Sequence, residues 1–130
     1  MNHKWKDLEE LTYEIRGCLF KVFKELGPGL LESVYEAALY YELTRCGLRV
    51  EKQVGIPVMY NGVNMDMGFR LDLLVEDLVI IEVKSIEKLH DVHKKQVLTY
   101  LKLTGLKIGY LVNFNDVVLK DKVSIVRIIN

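Results

Sequence analysis

"FRLDLLVEDLVIIEVKS", residues 69–85, is the stretch whose reading decides the fold. Its two apolar runs, around Leu73 to Val75 and Leu78 to Ile81, have the length and content of buried strands. Charge interrupts both, with Asp72 in the first and Glu82 and Lys84 in the second. Side chains alternate along a strand, so Glu82 and Lys84 project to one side and Val83 to the other. Taking such charges out of water is costly, and something must offset it. Register settles what does. If Glu76, Asp77 and Leu78 form a three-residue connection with Val75 opposite Val79, Asp72 falls directly across from Glu82. A two-residue turn would instead set Asp72 against Ile81. In the first register two carboxylates repel unless a cation or a proton lies between them. A hard divalent cation such as Mg²⁺, with oxygen ligands and retained waters, suits that arrangement.

Upstream, Trp5, Leu8, Leu11, Ile15, Cys18, Leu19, Val22, Phe23 and Leu26 recur at three- and four-residue spacing, predicting a long amphipathic helix ended by Gly27-Pro28-Gly29. A second helix is expected from Leu30 to Arg45, with Gly47 as its stop. From Val50 the period changes to two as far as Tyr60. Asn61-Gly62 then predicts a hairpin returning through Val63 to about Gly68. After residue 85 a helix is expected over Leu89–Thr104, ended by Gly105, followed by the strands "KIGYLVNF" and "KVSIVRII". The fold class is α/β (α+β): a mixed sheet flanked by helices, in one domain over 1–130, with an N-terminal helix (1–26) added to a core (27–130).

With half its residues apolar and 28% charged, the sequence has the profile of a globular protein rather than a disordered one. Cys18 and Cys46 form no CxxC and no disulfide framework, and read as buried reduced thiols. The charged N-terminus does not resemble a signal peptide, and no apolar run is long enough for a membrane span, so a cytoplasmic protein is expected. Net charge is zero, yet Val92 to Asn115 carries Lys94, Lys95, Lys102 and Lys107 with no acidic residue. Lys84, Lys88 and His90 lie just before it, and His93 lies at its start.

Asp72 followed ten residues later by Glu82-Val83-Lys84 resembles the D…(D/E)xK signature of the PD-(D/E)xK nuclease superfamily, which has a restriction-endonuclease-like core. Gln96 and Tyr100 on the following helix are similar to the QxxxY extension of its exonuclease-like branch. Gly29-Leu30-Leu31-Glu32-Ser33-Val34-Tyr35 matches the pattern naming the small GxxExxY family placed in that superfamily. One departure is Leu71, where the superfamily often has proline before the aspartate. The resemblance implies a metal-dependent nuclease that hydrolyses phosphodiester bonds in DNA, with Mg²⁺ or Mn²⁺ as cofactor. Asp72 and Glu82 would hold the metal with the main-chain carbonyl of Val83, and Glu32 would reach the metal or its waters. Lys84 would orient the attacking water, with Gln96 in support, while Tyr100, Lys88, Lys94 and Lys95 would contact nucleic acid. In chemical terms, carboxylate-held metal and a neighbouring lysine supply a nucleophile at neutral pH and neutralise the charge developing on phosphate.

Blander readings of the same residues exist. Glu82 and Lys84 can be a structural ion pair, although Asp72 and Glu32 then leave the charge unbalanced. Glu32 can be a helix-start carboxylate, and Glu36, one turn later, competes for its role. Gln96 and Tyr100 can be helix packing, and His90 with His93 a solvated pair. The alternative at the level of function is a catalytically inactive nuclease-fold module that binds nucleic acid or a partner protein. In a chain this small, a homodimer or another protein would supply further binding surface, with the tyrosine-rich second helix as a contact.

Overall fold

The computed structural model describes residues 7–66 and 68–130. Trp5, at the start of the expected first helix, and Met67, in the expected return strand, lie outside them. Helix α1 spans Leu8–Leu26, and the side chain of Asp7 caps it by accepting from the Glu10 amide at 2.9 Å. Helix α2 spans Glu32–Arg45, starting two residues later than the pattern predicted because Leu30 and Leu31 stay in the entering loop. Gly47, at φ 86°, provides the left-handed exit.

The long hairpin expected from Val50 divides into two. Strand β1 (Val50–Ile56) ends before Pro57. A short ribbon follows, β2 (Met59–Tyr60) and β3 (Val63–Asn64), which turns at Asn61-Gly62 as predicted but pairs only with itself. Strand β4 (Phe69–Val75) then returns along β1. Next come β5 (Val79–Lys84), α3 (Asp91–Thr104), β6 (Ile108–Asn113) and β7 (Ile125–Ile129). Helix α3 begins after Leu89, and the His93 ring accepts from the His90 amide at 2.9 Å, so this histidine pair helps to start a helix.

The main sheet has the order β1-β4-β5-β6-β7 and is antiparallel except for β5 beside β6, whose parallel pairing is joined by α3. Helices α1 and α2 cover one face, where Leu11, Ile15 and Leu19 meet Tyr35, Leu39, Ile81, Val83 and Val112. Helix α3 covers the other through Val97, Tyr100 and Leu101 against Ile80 and Leu111. Gly109 makes that second contact close: a Cβ there would lie 2.8 Å from Val97 Cγ1. Among the described residues no helix is long and apolar enough to cross a membrane.

The residue faces contain one irregularity. In β1, Val50 joins the α1/α2 core whereas Val54 and Ile56 join the α3 side. In β4, Val75 and Leu73 face α1/α2 whereas Leu71 faces α3. Strict alternation would keep each set on one face. The change in β1 coincides with Gln53, a non-glycine residue at φ 52°. Its flanking pairs, Lys52 with Leu73 and Val54 with Leu71, place it across from Asp72.

Candidate active site

The connection between β4 and β5 is the three-residue one, Glu76-Asp77-Leu78, with Val75 opposite Val79 and Leu73 opposite Ile81. Glu76 and Asp77 adopt left-handed backbone at φ 54° and 55°, and the Leu78 amide closes the turn on the Val75 carbonyl at 2.9 Å. Beyond Leu73 and Ile81 the ladder is continued by carboxylates. The Asp72 amide donates to Glu82 Oε1 at 2.9 Å, and the Val83 amide donates to Asp72 Oδ2 at 2.8 Å. Each carboxylate thus accepts from a backbone amide of the opposite strand. The paired residues of β4 and β5 stop at Leu73 and Ile81, and the two carboxylates follow directly, which makes this end of the strand pair the candidate site.

Its electrostatics follow from burial. Glu82 is 4% exposed. Desolvation pushes its carboxyl up to about 8, the Asp72 charge adds to the rise, and the Asp72 amide and Lys84 oppose it. Asp72 is half-buried and also shifted upward, chiefly by desolvation and with a contribution from Glu36. The Val83 amide, Lys84 and Gln53 counteract this. Without a cation, the pair therefore holds a proton readily near neutral pH. No ion pair among the described residues involves Lys84, so a structural Glu82–Lys84 bridge does not account for either charge. Lys84 acts on both carboxylates through its field instead.

The two helix carboxylates are used differently. Glu32 Oε2 accepts from the Ser85 amide at 3.2 Å, and the Ser85 hydroxyl donates to the Leu30 carbonyl, so the start of α2 is tied to the residue after Lys84. Glu36 is joined to Asp72 through Gln53, whose side-chain amide donates to Glu36 Oε1 at 2.7 Å and to Asp72 Oδ1 at 3.4 Å. Tyr35, fully buried, stacks on Phe114 at 4.6 Å between centroids. Its hydroxyl donates to the Gly27 carbonyl and accepts from the Leu30 amide at 3.1 Å. Gly29 (φ 97°), Glu32 and Tyr35 together hold the loop before α2 against the end of β5.

From the other side, fully buried Asn113 accepts from the Ile86 amide at 3.1 Å and donates to the Ile86 carbonyl at 2.9 Å. The Phe114 amide donates to the Lys84 carbonyl at 2.9 Å. The backbone of 84–86 is thereby fixed by both neighbours. On α3, Gln96 is hydrogen-bonded to Tyr100. The Tyr100 hydroxyl is raised by burial and then by the fields of Glu82 and Asp72, which places it on the site's α3 side. Lys88, Lys94 and Lys95 are exposed, and Lys94 lies 4.0 Å from the Asp91 carboxylate. Gln53 and Asn113 went unnoticed in the sequence. Nothing in the residue string marks a left-handed glutamine, and a lone asparagine ending a strand is ordinary.

Among the described residues no three His, Cys, Asp or Glu side chains converge into a ready-made metal cage. The fit to a metal rests on donor chemistry: two carboxylates on neighbouring strands, one strongly desolvated and raised by the charge of the other, at the end of a strand whose own carbonyls are oxygen donors. Oxygen donors few enough to leave room for water fit Mg²⁺ or Mn²⁺ better than a thiolate or imidazole metal.

Comparison with known proteins gives one result. No curated protein and no solved structure matches the chain. A family profile described as the PD-(D/E)XK nuclease superfamily matches residues 9–128, from the first turn of α1 through β7. With that match over nearly the whole chain, and a five-stranded mixed sheet carrying Asp72 and Glu82-Val83-Lys84 at adjoining strands, the chain belongs to the PD-(D/E)XK nuclease superfamily.

Proposed function

We propose that this protein is a Mg²⁺- or Mn²⁺-dependent nuclease of the GxxExxY kind that hydrolyses phosphodiester bonds in DNA. The observation carrying the proposal is that Asp72 and Glu82 each accept from a backbone amide of the opposite strand just beyond the last paired residues of β4 and β5, with Glu82 buried and its carboxyl at about 8. A repelling pair kept at this depth costs stability unless it serves to bind a cation.

Asp72, Glu82 and the Val83 carbonyl are the metal-holding groups, with Glu36 as the helix carboxylate brought nearest to Asp72 and Glu32 fixing the strand end beside them. A divalent cation supplies activation of water and charge neutralisation on phosphate. Lys84, with its backbone fixed by Phe114 and followed by the tethered Ser85, orients the attacking water and offers its ammonium to the phosphate oxygens. Gln96 and Tyr100 border the same site from α3. Lys88, Lys94 and Lys95 supply exposed positive charge for the DNA backbone.

Calorimetric titration of Mn²⁺ into the protein and into Asp72→Asn, followed by assay on mixed DNA and RNA substrates, tests this reading. The expected result is metal binding and DNA cleavage by the unsubstituted chain and neither by the variant. A chain that binds no divalent metal and cleaves nothing, yet binds DNA with an ordinary salt dependence, is the inactive binding module instead.

A further inference from the structure

Gln53 combines two properties that rarely meet inside a strand. Its backbone is left-handed, at φ 52°, with extended strand on either side, and its side chain reaches two carboxylates from different elements. Left-handed backbone is disfavoured for any residue with a Cβ. Glycine or asparagine would tolerate it better, but glycine has no amide to offer and asparagine is one carbon shorter. The strained residue stands across from Asp72, at the point where β1 and β4 both change faces. Its own carbonyl accepts from Arg70 Nη1 at 3.2 Å, which secures the peptide in that conformation.

On the metal reading given above, we infer that Gln53 is a positioning residue: its amide ties Glu36 on α2 to Asp72 on β4 and so holds the helix carboxylate beside the cation site. A neutral donor suits this task. Its two N–H groups can serve one oxygen on each acid, reducing their repulsion without adding a positive charge that would compete with a cation. In Asp72 the bridge engages Oδ1, while Oδ2 is held by the Val83 amide, so both oxygens of that carboxylate are oriented by the protein. Groups that orient a ligand in this way govern metal affinity without touching the metal.

The test is Mn²⁺ calorimetry on the unsubstituted chain, Gln53→Gly, Glu36→Gln and the double variant, with thermal melts of each in chelator. Glycine accepts the left-handed backbone, so Gln53→Gly should melt no lower than the unsubstituted chain without metal. It should bind Mn²⁺ about tenfold more weakly. In the Glu36→Gln background the same change should alter affinity less than about twofold, because the two residues act as one unit. Unchanged affinity in Gln53→Gly, or additive losses in the double variant, would refute the positioning role while leaving the metal site intact. Failure of the unsubstituted chain to bind Mn²⁺ would refute the metal reading and this inference together.

Discussion

Replacing Glu82 by glutamine separates a metal-binding carboxylate from a scaffold residue. In the folded chain the Glu82 carboxyl is raised from 4.5 to about 8. Below the unfolded value both states are protonated and the group contributes nothing. As pH rises from 4.5 through about 8, the unfolded chain releases its proton before the folded chain does, so stability falls. Above about 8 the loss is complete. At about 1.4 kcal/mol per pH unit that gap has a ceiling of about 5 kcal/mol. Asp72 shares the proton and the ionised pair can relax, which leaves an expected loss of about 1–3 kcal/mol. Glutamine keeps an oxygen to accept from the Asp72 amide and cannot ionise. In chelator, urea unfolding of Glu82→Gln should therefore match the unsubstituted chain at pH 4 and exceed it by about 1–3 kcal/mol at pH 9. With Mn²⁺ at a hundred times its dissociation constant, the unsubstituted chain should gain about 2.7 kcal/mol and the variant nothing. If Glu82→Gln is instead destabilised by about 3 kcal/mol at pH 9 with or without metal, the carboxylate is a structural partner and the reasoning fails.

Lys84→Ala should keep Mn²⁺ affinity within a small factor by calorimetry and lose cleavage, because the ammonium serves water and phosphate and does not ligate the cation. Substituting Lys94 and Lys95 together should weaken DNA binding and lower the slope of log affinity against log salt by up to about two, measured by fluorescence anisotropy. Gly109→Ala should destabilise the fold by about 1–3 kcal/mol through the Val97 contact, and Val97→Ala in the same chain should recover part of that loss. Tyr35→Phe, which keeps the stack on Phe114 but loses the Gly27 and Leu30 hydrogen bonds, should cost about 1–2 kcal/mol in chemical unfolding.

The meeting of Asp72 and Glu82 was legible as one of two registers, because the apolar runs on either side of Glu76-Asp77 have the spacing of paired strands, and Val75 opposite Val79 is the register that brings the carboxylates together. The element order was legible for the same reason: long periodic segments carry their type in their spacing. Boundaries moved where local chemistry outweighed period. Pro57 ended β1 early, and a two-residue ribbon took over the Asn61-Gly62 turn. Glu32 and Glu36 lie one turn apart on α2, and sequence spacing offers no means of ranking them. The structure joins Glu36 to Asp72 and Glu32 to the Ser85 amide, through a glutamine whose backbone angle no residue pattern encodes and a loop conformation set by Tyr35.

Asn113 has a consequence for the order in which the molecule is made. The carboxylate pair comes from neighbouring strands joined by three residues, a local contact that forms with little loop-closure cost. The backbone after Lys84 is set by Asn113, a side chain 27 residues downstream of Ile86. It reaches its place only after α3 has crossed over and β6 has paired in parallel with β5, the slower kind of contact to form. A chain still being synthesised thus carries its acidic pair before its lysine has a fixed position. If Lys84 acts as proposed, its backbone takes its place only with the closing of the sheet, near the end of folding.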